Sequence, residues 1–127
     1  MRRVVIDMQN LLFSDAIAEA LENSDSDFAV HLSENPEQTV DLCRLSLPYA
    51  LLMEVTGISP WQLEERLKIR DEVRQWNPDC KIVMIVDENA EKYLARRVLQ
   101  VKKDGLIDNF IFASVSAEYL TAVVDTL

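Results

Sequence analysis

Chemistry in this sequence is concentrated where short apolar runs stop. Val4-Val5-Ile6 ends on Asp7-Met8-Gln9, the run that begins at Tyr49 ends around Glu54, Lys81 to Val86 ends on Asp87-Glu88, and Phe110-Ile111-Phe112 ends on Ala113-Ser114. Carboxylates gathered at such points could ligate a hard cation or act as a general acid and base, because both tasks need oxygen donors held in place. Asp7 has a second role open to it, since a carboxylate just after a strand can cap the helix that follows. Glu54 is likewise either a solvated loop acid or a member of the same cluster. Sulfur and imidazole offer less. Cys43 falls in a helical pattern and Cys80 just before a strand, with no paired-Cys or Cys/His spacing for zinc, so both read as buried thiols. His31 has no Ser, Cys or second His near it in pattern and reads as structural.

The elements that must position these residues follow from periodicity. Val4 to Ile6, Phe28 to Leu32, Tyr49 to Val55, Lys81 to Val86 and Phe110 to Phe112 are short apolar runs of the kind that form buried parallel strands. Between them lie helical patterns. Leu12, Ala16 and Ala20 with Ile17 and Leu21 mark the first, which Ser24-Asp25-Ser26-Asp27 ends. Asn35-Pro36-Glu37 opens a second that carries Val40, Cys43 and Leu47 inward. A third runs from Pro60 through Gln75 with Ser59 as its cap; Leu63, Leu67, Arg70, Val73 and Arg74 form its inner face, and Glu64, Glu65, Arg66, Lys68, Asp71 and Glu72 its solvated one. Ala90 to Lys103 is the fourth, stopped by Gly105, and Ser116 caps a fifth that runs to Leu127. Met53, Trp61 and Trp76 read as packing residues. Strict alternation of strand and helix implies a five-stranded parallel sheet with helices on both faces and any site at the carboxyl ends of the strands.

Composition narrows the function classes. The 127 residues suit one domain, 1–127, and 49% hydrophobic with 28% charged residues is the balance of a globular chain. A formal charge of −9 opposes polyphosphates, which argues against direct nucleic-acid binding. No apolar run approaches the roughly 18 residues of a membrane span. The stretch after Arg2-Arg3 is too short for a signal-peptide core, so the expected setting is cytoplasmic. The acidic balance has one exception. Residues 90–105 carry Lys92, Arg96, Arg97, Lys102 and Lys103 against Glu91 and Asp104, a net +3 on a remainder of −12. That basic helix is either a solvated face or a contact surface.

In element order and over essentially its whole length, the chain resembles the receiver domain of bacterial two-component response regulators. Phe110 to Leu120 follows that family's aromatic-apolar-apolar-Lys-Pro-x-Ser-x-Glu-x-Leu run, and Pro48 to Glu54 follows its phosphoacceptor strand without a gap. The resemblance implies a flavodoxin-like, doubly wound (βα)5 fold with strand order 2-1-3-4-5. It also implies a pocket, and this sequence departs from it at most positions. Of the pair of acids that holds Mg²⁺, Asp7 is present and Met8 stands where the second belongs. Glu54 occupies the phosphoacceptor position, Val86 that of the hydroxyl, Ala113 that of the lysine and Ser114 that of the proline. Phe110 falls on the switch aromatic and lacks a hydroxyl. Phosphoryl transfer to a carboxylate needs a divalent cation and several charged donors, which this set lacks. Asp7 and Glu54 are expected near each other as the remnant of the pocket, with neither metal nor cofactor bound.

The expected function is therefore a degenerate, phosphorylation-independent receiver-like module, not an enzyme. It would act on a protein partner or on a second copy of itself through the face made by its fourth helix, fifth strand and fifth helix. On that face Tyr93, Arg96, Arg97 and Tyr119 are the candidate contact residues. Two alternatives stand beside it: an active receiver with an altered pocket, and a small hydrolase that uses Asp7 and Cys80. The latter arises because Val5 to Asn10 is similar to the opening of isochorismatase-type cysteine hydrolases. The same stretch resembles the Asp-x-Asp of haloacid-dehalogenase-type phosphatases, but Gln9 replaces the second acid and cannot exchange protons.

Overall fold

Ten elements alternate along the chain in the computed structural model, which describes residues 1–127. They are β1 (Arg2–Asp7), α1 (Leu11–Glu22), β2 (Phe28–Leu32), α2 (Pro36–Ser46), β3 (Ala50–Glu54), α3 (Leu63–Trp76), β4 (Lys81–Val86), α4 (Lys92–Lys103), β5 (Asn109–Phe112) and α5 (Ala117–Asp125). The sheet order is β2-β1-β3-β4-β5 and every pairing is parallel. This is the arrangement expected from the alternation of elements and from the receiver-like resemblance. The two central neighbours are in a register that places Asp7 beside Met53 and Glu54 beside Ile85.

Side-chain alternation along each strand builds two cores. Val5, Leu51, Met53, Ile82, Met84 and Val86 face α2, α3 and α4, with Cys43, Leu63, Ile69, Val73, Leu94 and Val98 packed on them. Val4, Ile6, Leu52, Val83, Ile85 and Ile111 face α1 and α5, meeting Ile17, Leu21, Leu120 and Val124. Strands buried on both faces have no polar side to spare, which is why their sequences read as continuous apolar runs. Side chains cap three helices: Asn10 accepts the Phe13 N–H, Asn35 the Gln38 N–H ahead of Pro36, and Ser116 the Tyr119 N–H.

Several expectations need correction. Helix α3 begins at Leu63, not Pro60, and Ser59 is not its cap; the Glu65 carboxylate accepts from the Ser59 hydroxyl at 2.8 Å and from the Gln62 N–H at 3.3 Å. Leu47 does not pack inward: it ends α2 in the left-handed region at φ 47° and is exposed. Trp76, read as a packing residue, packs at the surface: it is exposed, with the Arg44 guanidinium of α2 stacked 3.9 Å from its ring centroid. Arg66, assigned to the solvated face of α3, is completely buried. The inner stripe of that helix is Leu63, Arg66, Ile69 and Val73, while Arg70 and Arg74 lie half-buried at its margin.

Cys43 and Cys80 are both buried in the α2–α4 core, as expected. Burial pushes each thiol up to about 12, because an apolar surround disfavours the thiolate. The thiolate is the reactive form, so a raised value protects the thiol at any pH below it. Alkylation of the native protein by iodoacetamide should therefore stay slow between pH 7 and 9, a range over which the thiolate fraction of free cysteine rises roughly 25-fold toward its plateau. The rate should rise sharply only in denaturant; a native rate that tracks free cysteine would place a thiol at the surface.

Candidate functional site

At the carboxyl ends of β1 and β3 the chain leaves the sheet, and the side chains there divide between the two layers. Asp7 follows Val5 by two residues and enters the layer of α2 and α3, where it is fully buried. Arg66 reaches it from the first turn of α3. Its Nη1 donates to Asp7 Oδ2 at 2.7 Å, its Nη2 to Asp7 Oδ1 at 3.3 Å and to the Asp7 carbonyl at 3.0 Å, and its Nε to the Glu54 carbonyl at 2.7 Å. All three guanidinium nitrogens are engaged. The fork geometry of arginine suits this arrangement, since one planar cation grips a carboxylate and two strand-end carbonyls together.

The contacts extend toward β2. The Thr39 hydroxyl on α2 donates to Asp7 Oδ2 at 2.6 Å and lies 2.8 Å from the Ser33 hydroxyl, whose backbone N–H donates to the Ile6 carbonyl at 2.8 Å. Ser33, Thr39, Asp7 and Arg66 are all buried, so the chain of polar groups is fully enclosed and internally satisfied. Asp7 is thus neither a helix cap, which Asn10 supplies, nor an open ligand.

Glu54 departs in the other direction. Leu52 belongs to the α1/α5 layer, so alternation carries the Glu54 side chain to that side, and its Oε1 accepts the Asn10 N–H at 3.0 Å at the start of α1. A carboxylate there complements the positive end of the helix. The expected cluster of Asp7 and Glu54 is therefore divided: the sheet separates the two carboxylates, and the cation at this strand end belongs to Arg66.

The remaining candidate positions are apolar or short. Met8 is buried with Ile17 and Leu21 and is part of the α1/α5 core. Val86 is fully buried in the opposite layer, and Ala113, half-buried at the end of β5, presents a methyl group. Phe110 is half-buried against the α2–α4 core with its ring 5.2 Å from that of Phe112. Asp87 spends its Oδ1 on the N–H groups of Asn89 and Ala90, both at 3.1 Å, which closes the turn into α4. Cys80 lies just ahead of β4, at the amino end of the sheet and so at the opposite edge from Asp7; the structure does not bring that pair together.

On the proposed contact face, Tyr93 and Tyr119 are 75% and 56% exposed. Arg96 and Arg97, adjacent in sequence, differ in role. Arg96 is exposed and has no acidic partner, whereas Arg97 bonds Glu64 on α3 and holds that carboxyl below its usual range.

Arg66, Thr39 and Ser33 are the site residues that sequence reasoning missed. The signal for Arg66 was present: Leu63, Ile69 and Val73 define a core stripe, and Arg66 falls on it. A lone charge on an apolar stripe implies a buried counter-charge, and Asp7 was the unexplained acid.

No protein-family model matches the sequence, and no curated protein matches it by sequence. Solved structures do share the fold. A CheY-like response regulator receiver domain protein from Methanospirillum hungatei JF-1 superimposes with TM-score 0.78 at 12% identity, covering 99% of this chain and 92% of that one. The REC domain of AraT, a response regulator from Geobacillus stearothermophilus, gives 0.74 at 17% identity over 98% and 91% of the two chains. A response regulator from Desulfuromonas acetoxidans gives 0.71 at 19% identity over 99% and 95%. At these identities the likeness establishes the receiver fold.

Removing one partner of a buried ion pair leaves the other uncompensated. Arg66→Met should destabilise the protein by about 3–5 kcal/mol in urea unfolding, and Asp7→Leu combined with Arg66→Met should recover most of that loss. A single-mutant cost under about 1 kcal/mol, the range of a surface pair, would show that the guanidinium is solvated.

Proposed function

We propose that this chain is a signal-transduction module of the response-regulator receiver type that works without phosphorylation, through protein contacts made by α4, β5 and α5 in a cytoplasmic two-component setting. The observation that carries this reading is the guanidinium of Arg66 on Asp7. A receiver pocket must admit a divalent cation, and Mg²⁺ requires several hard oxygen ligands in near-octahedral array. Both oxygens of Asp7 and the carbonyls of Asp7 and Glu54 are already engaged by one arginine. Expelling it would strand a buried charge, at a cost of about 3–5 kcal/mol.

The other pocket positions support the same reading. Phosphoryl transfer depends almost entirely on electrostatic stabilisation of its transition state. Val86 and Ala113 supply neither hydroxyl nor ammonium, and Glu54 is bonded to the start of α1. With no phosphoryl group to shift an equilibrium between two states, the contact face is held in one state by the fold itself. The chain then has no catalytic role.

Acetyl phosphate or beryllofluoride with Mg²⁺ tests the reading. The protein should gain no mass, its amide resonances near Glu54 should not move, and millimolar Mg²⁺ should leave its melting temperature unchanged. A stable Mg²⁺-dependent mass gain, or a rise of several degrees specific to Mg²⁺ over matched ionic strength, would instead establish an active receiver with an altered pocket.

A further inference from the structure

The charges of this molecule are sorted by helix. α4 carries five basic residues and no acidic one; α1 and α5 together carry five acidic residues and no basic one. Arg97 is bonded to Glu64 and Asp125 to Arg2, which takes one charge from each set. What remains is Lys92, Arg96, Lys102 and Lys103 against Asp15, Glu19, Glu22 and Glu118, all exposed and none with an ionic partner in its own chain. The acidic side also has a shape. Between α1 and α5 runs an apolar groove of about 180 Å³ lined by Phe13, Ile17, Ala20, Val115 and Leu120. The basic side has a matching projection in Tyr93, 75% exposed at the start of α4.

We infer that the partner of the α4 face is the α1/α5 groove of a second copy of this chain, with Tyr93 seated in the groove and Arg96 and its basic neighbours against Asp15 and Glu19. This rests on the reading that the contacts involve α4 and α5 and divides that region in two: α4 is one surface, and α5, with α1, belongs to the surface it contacts. Symmetry separates the options. A two-fold contact of α4 on α4 would bring unpaired cations together, and α1/α5 on α1/α5 would bring unpaired anions together; like charges across an interface are strongly penalised. Only a head-to-tail contact neutralises both. α4 packs on one face of the sheet and α1 and α5 on the other, so each copy keeps one surface of each kind free. A heterologous contact of that geometry propagates and does not stop at a dimer.

Sedimentation and light scattering on the intact chain test this. At low ionic strength the weight-average mass should climb with concentration past that of a dimer, and salt should return it to the monomer, because the attraction acts between exposed charges. Lys92→Glu with Arg96→Glu should abolish assembly, as should Asp15→Lys with Glu19→Lys; all four positions are exposed, so folding is preserved. Mixing the two variants should restore assembly, since each then meets its complement at both surfaces. A wild-type protein that stays monomeric at low salt, or a mixture that does so, overturns the head-to-tail contact and leaves the α4 face to another partner. Assembly that survives reversal of α4 overturns the contact and the α4 reading together. A plateau at the dimer mass also overturns it.

Discussion

The buried ion pair between Arg66 and Asp7 is the constraint around which the carboxyl end of this sheet is organised. A parallel sheet exposes its carbonyl-rich strand ends at this edge, and an acid there has to be neutralised by something. Here the neutralising charge comes from the chain itself, delivered by the first turn of α3. One guanidinium closes on β1 through the Asp7 carboxylate and carbonyl and on β3 through the Glu54 carbonyl. Thr39 and Ser33 extend the contact to α2 and the end of β2. Three consecutive βα units are thereby tied at one point. The arrangement tolerates no partial loss, because every member is buried and relies on its neighbours.

That point of closure decides what the rest of the molecule can be. On the proposed reading, a phosphate switch needs a pocket that can hold two charge states, and the Arg66 guanidinium, being part of the chain, holds one. The neighbouring positions are of one kind. Met8 joins the α1/α5 core, Val86 the opposite core, and Glu54 turns away to the amide of Asn10, the residue that caps α1. These residues serve packing and capping. What remains available to solvent is charge and shape on the helices, and there the protein is strongly polarised.

Much of the architecture was legible because it is written locally. Continuous apolar runs such as Ile82 to Val86 announce strands buried on both faces, and Asn35-Pro36 and Ser116 announce helix starts. The site was legible only in its carboxylates. Asp7 and Glu54 stand out at strand ends, but their partners are remote in sequence, Arg66 lying 59 residues from Asp7. On α3 the periodicity fits two neighbouring stripes, one through Leu67 and Arg70 and one through Arg66 and Ile69; tertiary pairing with Asp7 selects the second. Leu47 was placed inward by its helical spacing from Val40 and Cys43, whereas α2 ends in a left-handed turn at that residue; Trp76, read as a packing residue, packs with Arg44 on the surface. In each case a contact made after folding overrides a local pattern.

The most direct measurement is the Arg66 Nε–H resonance by ¹⁵N NMR, since that proton donates to the Glu54 carbonyl from a fully buried side chain. The account predicts a single, slowly exchanging signal that millimolar Mg²⁺ neither shifts nor broadens. An Nε–H that exchanges with water like that of a free arginine, or that moves on addition of Mg²⁺, would mean that the guanidinium leaves Asp7 and that a cation from solution can take its place.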